Sequence, residues 1–246
     1  MSVRVHFLGC GDAFGSGGRL HTCFHLRGGE DSMLIDCGAT SLQALKRQGI
    51  DPGSVASVAL SHLHGDHFGG VPWLIMDGRF AKRTEPLVVS GPAGTEQRVR
   101  SVWEALYPGA PEADLPFELR FLQYDERAPT TLPGATVTPF GVIHSSGAPS
   151  YGLRVEYAGR VISYSGDTEW TDALIDLAKG ADLFICECNF YDTQVPGHLD
   201  FRALETKLPQ LDCRRLILTH MSEQMLERVS GLELETASDG LAVDLG

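Results

Sequence analysis

Four side chains that bind metal well lie within six residues of one another: His62, His64, Asp66 and His67. They follow the apolar run 55–60, which predicts a buried strand, and they precede residues 68–71, which predict a loop opening a helix. Imidazole and carboxylate groups are common ligands of divalent metal ions, and the end of a strand holds them rigidly. The spacing therefore indicates a metal site; the alternative is a polar turn with hydrogen-bonded histidines.

Further polar side chains follow other predicted strands along the chain. They are Asp36, His144, Asp167, Glu187 and His220. A fold that gathers strand ends at one edge would bring them to the histidine motif, and this many ligands exceed what one tetrahedral ion uses. Two metal ions that share a bridging carboxylate and a water are the economical interpretation. One ion surrounded by hydrogen-bonded partners is the alternative.

A glycine-rich segment follows the first predicted strand at residues 9–19. It lacks the Gly-Lys-Ser/Thr ending of a phosphate loop, and Phe14 stands where a dinucleotide fingerprint has its third glycine. We expect a loop near a catalytic mouth, where backbone N–H groups, Ser16 and Arg19 meet an anionic substrate; a plain connection is the alternative. Four aromatic residues are candidates for lining that mouth: Phe14, Phe68, Trp73 and Tyr191.

Length and composition are those of an ordinary globular domain. The chain has 246 residues, 43% of them hydrophobic and 21% charged, and we expect one domain over residues 1–246. The net charge of −12 argues against the large basic surface that binds nucleic acid backbones, so no extended nucleic-acid surface is expected. Six cysteines without a CxxC pair, no signal segment and no membrane-length apolar run predict a cytoplasmic protein with reduced thiols and no membrane contact.

Hydrophobic patterning predicts strands and helices in alternation in both halves of the chain. Strands are expected at residues 3–8, 22–26, 32–35, 55–60, 87–89, 117–122, 135–140, 151–157, 160–164, 183–188 and 215–220, and helices at 41–48, from 71 onward, 95–106, 171–178 and 199–208. Two β-rich halves with helices between their strands predict two packed sheets with helices outside, an α/β (α+β) architecture. The segment from Gly231 onward is expected to form an edge strand.

The histidine motif, preceded by Asp36 and followed in order by His144, Asp167 and His220, resembles that of the metallo-β-lactamase fold superfamily over essentially the whole chain. The resemblance implies a four-layer αββα sandwich in which Asp36 orients the histidine segment. It also implies a binuclear site, in which His62, His64 and His144 bind one metal ion, Asp66, His67 and His220 bind the second, and Asp167 bridges them. Two Zn²⁺ ions suit the imidazole-rich set, with Mn²⁺ or Fe²⁺ as alternatives.

Within this superfamily, residues 7–11, 35–38, 164–168 and 218–222 resemble the ribonuclease Z-like group of phosphodiesterases. That likeness implies that Glu187 orients His198, which would stabilise the transition state or protonate the leaving oxygen. The alternative for His198 is a surface histidine in a loop.

The same comparison shows two departures from the enzymes that process tRNA 3′ ends. A single predicted hairpin fills the interval between His144 and Asp167, where those enzymes insert a long arm that holds tRNA. The residues after Ser222 are also not the Arg-Tyr pair of that subfamily. Both departures, with the acidic net charge, disfavour tRNA 3′ processing.

The sequence therefore predicts a metal-dependent hydrolase whose nucleophile is a metal-bound hydroxide. Asp66 or Asp167 would accept the proton, and the substrate would be a phosphodiester of a small molecule or short nucleotide. The main alternative is hydrolysis of a lactone, thioester or amide at the same site. A catalytically silent zinc-binding module and an iron oxidoreductase are further alternatives, and His64 in place of a glutamate disfavours the latter. A homodimer is an open expectation, because dimers are common among relatives of this kind.

Overall fold

The structure is a computed structural model that describes residues 2–111 and 113–246, so Met1 and Glu112 of the expected domain lie outside the described residues. The strands are Val3–Gly9 (β1), Cys23–Arg27 (β2), Ser32–Ile35 (β3), Val55–Ala59 (β4), Leu87–Gly91 (β5), Leu119–Gln123 (β6), Thr130–Leu132 (β7), Ala135–Gly141 (β8), Tyr151–Tyr157 (β9), Arg160–Tyr164 (β10), Leu183–Glu187 (β11), Leu216–Thr219 (β12), Glu235–Thr236 (β13) and Ala242–Leu245 (β14). The α-helices are Ser41–Arg47 (α1), Gly65–Phe68 (α2), Val71–Phe80 (α3), Thr95–Leu106 (α4), Ala173–Ala178 (α5), Phe201–Lys207 (α6) and Glu223–Leu226 (α7). Within the described ranges, none of these helices combines the length and the apolarity needed to cross a bilayer.

The strands form two mixed sheets of seven strands each within the described residues. The first has the order β14-β1-β2-β3-β4-β5-β6, and the second has the order β13-β12-β11-β10-β9-β8-β7. Strands β3 to β6 are parallel in the first sheet, as are β10 to β13 in the second. Because the carboxyl ends of parallel strands share one edge, the segments that follow them emerge side by side.

Apolar side chains fill three layers between the sheets and the helices. The layer between the sheets includes Phe24, whose ring meets Phe7 and Tyr164 edge-on at centroid distances of 5.0 and 5.1 Å. One outer layer lies between the first sheet and helices α1, α3 and α4, and the other between the second sheet and helices α5, α6 and α7. The result is the predicted four-layer αββα sandwich.

Most elements lie where the sequence predicts them, but the short helix α7 was not predicted and three other segments differ. Strand β7 was not predicted, because three residues are too few for alternation to be recognised. The segment from Gly231 onward forms two short strands, with β13 at the edge of the second sheet and β14 at the edge of the first. Phe68 lies in the one-turn helix α2, not in a loop, and its side chain is buried in the core.

Candidate metal centre

Strand ends from both sheets position the candidate metal centre. In the first sheet, Asp36 follows β3 and residues 62–67 follow β4. In the second sheet, His144 follows β8, Asp167 follows β10 and His220 follows β12. Asp36 and His220 have left-handed backbone conformations, with φ of 55° and 58°. Residues other than glycine rarely adopt this conformation, and it is concentrated at functional sites.

The seven side chains predicted to bind metal converge in two groups that share one carboxylate. His62, His64, His144 and Asp167 form the first group, and Asp66, His67, Asp167 and His220 form the second. Within each group the potential ligand atoms lie within 4.8 Å of one another. The structure thus brings together every side chain in the predicted ligand set, with Asp167 between the two groups.

In the first group, one ring nitrogen of each of three histidines lies close to the others and to the Asp167 carboxylate. His64 Nδ1 lies 3.0 Å from His144 Nε2. His62 Nε2 lies 3.7 Å from Asp167 Oδ2, and His144 Nε2 lies 3.9 Å from the same oxygen. Among the described residues, no group is hydrogen-bonded to the buried His62 Nε2. A buried polar atom without a partner is costly unless a ligand compensates it.

The second group is more tightly packed and almost fully buried. Asp66 Oδ2 lies 3.1 Å from His67 Nε2 and 3.2 Å from His220 Nε2. The two imidazole nitrogens are 3.4 Å apart. Oδ1 of Asp167 points into this group, 3.4 Å from His67 Nε2, and the described residues give it no hydrogen bond.

Hydrogen bonds on the far side of three of the imidazoles orient the ring nitrogens that face the ligand groups. His67 Nδ1 donates to Asp36 Oδ2 at 2.7 Å, which is the orienting contact predicted for Asp36. His144 Nδ1 donates to the carbonyl oxygen of Gly197 at 2.8 Å, and His220 Nδ1 meets the side-chain amide of Asn189 at 3.0 Å. The acceptors Asp36 and Gly197 fix the tautomers of His67 and His144 in which Nε2 is free to bind metal, whereas the Asn189 amide positions the His220 ring.

The pKa values of the site's side chains favour metal binding. Burial, reinforced by His67, lowers the pKa of His62 well below its usual value, so its imidazole is neutral. Burial alone would raise the pKa of Asp167, but facing histidines, chiefly His220, hold it well below the usual value. Burial alone would lower the pKa of His220, but Asp167 and Asp66 raise it to about 9. Metal binding at His220 therefore displaces a proton.

The residues present fit divalent metal ions. The two groups together offer five imidazoles and two carboxylates, and within each group the potential ligand atoms lie within 4.8 Å of one another. The unpartnered His62 Nε2 and Asp167 Oδ1 face into these groups, within the described part of the chain. Nitrogen and oxygen donors in this combination bind zinc and similar ions.

A carboxylate–imidazole pair lies directly beside the two groups. His198 Nδ1 lies 3.2 and 3.4 Å from the two carboxylate oxygens of the fully buried Glu187. The His198 ring stacks on His220 with a centroid distance of 5.7 Å. Burial alone would lower the pKa of His198, but the hydrogen bond and charge of Glu187 raise it. The predicted pair is in contact; its catalytic role remains a prediction.

A cavity of about 580 Å³ opens over the ligand groups and His198. Residues from the glycine-rich segment, the chain after β11 and helix α7 form much of its lining: Asp12, Phe14, Ser16, Phe190, Val195 and Glu223. The volume lies in the range of small-molecule sites. Sequence analysis missed Phe190, Val195 and Glu223, because no motif distinguishes them from ordinary loop and helix residues.

Two predictions about the mouth of the site are wrong. The Arg19 guanidinium donates to the Ala237 carbonyl oxygen at 2.8 Å and does not line the cavity. Of the four aromatic candidates, Phe14 lines the cavity, whereas Phe68 is a core residue. Trp73 packs edge-on against Tyr107, and Tyr191 stacks on Phe201.

Comparisons with known proteins agree with this fold. A family model described as "Anti-Pycsar protein Apyc1" matches residues 3–237. Protein Rv1339 of Mycobacterium tuberculosis is 31% identical over 228 residues, covering 90% of this chain and 81% of the relative. A protein named ribonuclease Z from Methanothermobacter thermautotrophicus is 27% identical over 266 residues, covering 89% and 87% of the two chains. The crystal structure of the metallo-β-lactamase fold protein YhfI from Bacillus subtilis has a TM-score of 0.78 at 23% identity and covers 99% of both chains.

Proposed function

The chain belongs to the family of the anti-Pycsar protein Apyc1 and has the metallo-β-lactamase fold of metal-dependent hydrolases, and from this premise we propose that it is a binuclear phosphodiesterase. Its substrate is a phosphodiester of a small molecule or a short nucleotide. The observation that carries the proposal is the Glu187–His198 pair, whose histidine lines the same cavity as residues of both ligand groups while the buried Glu187 supports it from behind.

Seven side chains would hold two divalent ions: His62, His64 and His144 on one, Asp66, His67 and His220 on the other, with Asp167 shared. The imidazole-rich donor set supports Zn²⁺, and the carboxylates also accept Mn²⁺ or Fe²⁺. When bound, such ions acidify a water molecule and polarise the phosphoryl group, which is the chemistry that diester hydrolysis needs. Asp66 and Asp167 are the carboxylates that can accept the proton of the attacking water.

His198 is the residue that can serve the leaving group. Its Nδ1 donates a hydrogen bond to the Glu187 carboxylate. Nε2 is therefore the nitrogen that can donate a proton to the departing oxygen. Glu187 is itself fixed, because the backbone N–H of Thr168 donates to its Oε1. A positioned general acid of this kind matters most when the leaving group is a poor one, as the alkoxide of a natural diester is.

The short interval between His144 and Asp167 and the acidic net charge support a small substrate over tRNA. A loop and the β9–β10 hairpin fill the interval between His144 and Asp167, where tRNA-processing enzymes of the resembling group carry an arm. The net charge of −12 also disfavours a surface that grips a nucleic acid backbone. The ribonuclease Z relatives support the phosphodiester chemistry without requiring the same substrate.

The first test is hydrolysis of bis(p-nitrophenyl) phosphate by the zinc- or manganese-loaded protein, beside Asp167→Ala. We expect activity in the wild type and background rates in the variant, because the shared carboxylate of both ligand groups is removed. The contradicting result is folded, metal-loaded wild type that cleaves p-nitrophenyl carboxylic esters or thioesters but no phosphodiester. That result would assign the site to ester hydrolysis.

The second test uses two diesters that differ only in the leaving group, p-nitrophenolate or an alkoxide. We expect His198→Ala to lower kcat about 100-fold or more for the alkoxide ester and far less for the p-nitrophenyl ester. His6→Ala, which changes a histidine of β1 away from the cavity, is the matched control. Equal activity of His198→Ala and wild type on both esters would contradict the leaving-group role.

A further inference from the structure

A tight turn in the chain after β11 lies beside a predicted metal ligand and ends at the proposed general acid. The sequence of residues 195–198 is Val-Pro-Gly-His, and the His198 N–H donates to the Val195 carbonyl oxygen at 3.1 Å. Proline at the second position and a left-handed glycine at the third are typical of a type II β-turn, and Gly197 has φ of 83°. Because His198 is the last residue of the turn, the position of this backbone determines where its imidazole lies.

Both backbone groups of Gly197 are hydrogen-bonded to side chains from other segments. Its carbonyl oxygen accepts from His144 Nδ1 at 2.8 Å, on the far side of the ring from the first ligand group. Its N–H donates to Glu169 Oε1 at 2.8 Å. Among the described residues, Glu169 is the side-chain acceptor for the N–H groups of the turn. Glu169 therefore holds in place the backbone that orients His144.

The backbone of Glu169 is fixed in turn by the segments that carry metal ligands. Its N–H donates to the Ile143 carbonyl oxygen at 3.1 Å, and its carbonyl oxygen accepts from the Thr168 hydroxyl at 2.6 Å. The Thr168 hydroxyl also accepts from the Ile143 N–H at 3.0 Å. Glu169 is thus anchored between the segment of Asp167 and the segment of His144, and its side chain transmits that position to the turn.

Glu169 is not among the described residues that line the cavity over the ligand groups. It lines a neighbouring cavity of about 470 Å³, together with Trp170, Pro196 and His198. A substrate bound over the ligand groups would therefore meet His198 and not Glu169. An effect of Glu169 on such a substrate passes through the turn.

We propose that Glu169 is a positioning residue that holds the 195–198 turn through the Gly197 N–H, so that Gly197 orients His144 for metal binding and His198 faces the cavity. The His198 part of this inference rests on the proposed phosphodiesterase function, whereas the His144 part requires only metal binding. Changing the direct partner of a metal-binding histidine costs about 10- to 100-fold in metal affinity. Glu169 acts one hydrogen bond farther from the ligand, so we expect the lower end of that range.

The test compares Glu169→Gln with Glu169→Met. Both new side chains are uncharged and similar in length, but only glutamine has an oxygen that accepts strongly from the Gly197 N–H. Competition for Zn²⁺ with a chromophoric chelator should give an affinity about 10-fold below wild type for Glu169→Met and close to wild type for Glu169→Gln. Because the two variants have the same charge, a difference between them assigns the effect to the hydrogen bond.

The same variants test the position of His198 with the two diesters that differ in leaving group. At saturating zinc, Glu169→Met should lower kcat about 10-fold for the alkoxide ester and less than about 3-fold for the p-nitrophenyl ester, because only the poor leaving group needs a well-placed proton donor. KM should stay near the wild-type value for both esters, since Glu169 does not line the cavity. Glu169→Gln should retain both kcat values.

Glu104 provides the matched control. Its carboxylate also accepts from the N–H of a left-handed glycine, Gly109, at 2.9 Å, but this contact follows α4 and does not line the cavity. Glu104→Met should leave the zinc affinity and both kcat values at wild-type levels. Urea unfolding of both methionine variants verifies that the compared proteins are folded.

Three results would overturn the inference. They are equal zinc affinities of Glu169→Gln and Glu169→Met, a loss of affinity that Glu104→Met shares, and a higher KM with unchanged kcat in Glu169→Met, which would make Glu169 a substrate contact. An equal fall of kcat on both diesters would contradict the part that concerns His198. Absence of diester hydrolysis by folded, loaded wild type would instead reject the phosphodiesterase assignment, and the zinc comparison would still decide whether Glu169 positions His144.

Discussion

At the scale of single residues, the candidate centre depends on partners that do not themselves face the metal ligand groups. Asp36 is fully buried and accepts hydrogen bonds from the Ser61 N–H and hydroxyl, each at 2.7 Å, as well as from His67. Gly197 serves His144 in the same way through its carbonyl oxygen. Each contact orients an imidazole that a rotation of one bond would otherwise turn away.

Asp36→Asn should weaken metal binding about 10- to 100-fold, because the amide is a poorer acceptor for the His67 Nδ1 proton. Asparagine tolerates the left-handed backbone of this position, so the change tests the hydrogen bond and not the backbone. The measurement is competition for Zn²⁺ with a chromophoric chelator. Asp244→Asn, at an exposed ion pair with Arg4, should leave the affinity unchanged. Equal affinities of wild type and Asp36→Asn would contradict the orienting role.

Gly197→Ala should destabilise the protein and weaken metal binding through His144. Gly197 has φ of +83°, and an added Cβ would lie 2.9 Å from His144 Nδ1. Gly49→Ala separates the two effects, because Gly49 has φ of +67° but open space around its Cβ position. We expect about 1 kcal/mol of destabilisation from the backbone conformation alone in Gly49→Ala.

In Gly197→Ala, the close contact with His144 should lower the free energy of unfolding by a further amount of about 1–3 kcal/mol. Only that variant should lose zinc affinity. Urea unfolding gives the two free energies, and chelator competition gives the affinities. Equal unfolding free energies of the two variants would show that the chain around His144 relaxes to accommodate the methyl group.

At the scale of secondary-structure elements, strand β2 contains a buried titratable group far from the metal ligands. His25 lies between His6 of β1 and Leu34 of β3 in the first sheet. Its Nε2 is buried and has no hydrogen-bond partner among the described residues. Burial, with smaller effects of the charges of His6 and Arg27, lowers the pKa of His25 to about 4.

Stability should therefore fall as the pH drops from about 6.5 toward 4, because over this range the unfolded chain binds a proton at His25 and the folded chain does not. The full effect is about 3 kcal/mol near pH 4. We expect His25→Gln to unfold in urea with a shallower pH dependence than wild type below pH 6.5. Loss of metal in acid acts on both proteins, so the difference between their slopes isolates His25. Parallel pH profiles would contradict the prediction.

At the scale of the whole molecule, the ligand groups connect the two sheets. Residues 62–67 come from the first sheet, and His144, Asp167 and His220 come from the second. Bound ions would thus hold the sandwich together at this edge and stabilise the folded state by an amount that rises with the logarithm of the free metal concentration over Kd.

We compare protein at a free metal ion concentration of about 100 times the dissociation constant with protein treated with a chelator. Chelation should lower Tm by about 5–10 °C, and adding the metal back should restore it. Calorimetry or circular dichroism measures the shift. Asp167→Ala should abolish the shift, because both groups lose their shared ligand. His198→Ala, which is outside the predicted ligand set, should retain it. A Tm independent of metal in the wild type would contradict binding at these residues.

Strand-end patterning was sufficient to predict that the polar residues converge, because a polar residue after an apolar strand marks a strand end and parallel strand ends meet at one edge. Their division into two ligand groups came from the resemblance to the metallo-β-lactamase fold superfamily. The two halves of the sandwich followed from the same alternation of strands and helices. The roles of Gly197 and Asn189 could not be predicted, because they depend on where a carbonyl and an amide lie relative to residues far along the chain. The sequence also could not show which of the four aromatic candidates lines the cavity. Phe14 does so because packing buries Phe68 in the core and pairs the other two with neighbouring rings.

The division of ligands between the two sheets also has a consequence for biosynthesis. Each ligand group combines histidines that follow β4 with side chains supplied by the second half of the chain, and the second group is complete only with His220. A nascent chain on the ribosome therefore lacks the full ligand set until β12 has been synthesised and both sheets have docked. Capture of the proposed metal ions would therefore be a late event in the maturation of this protein, and a truncated product that ends before His220 would lack one ligand of the second group.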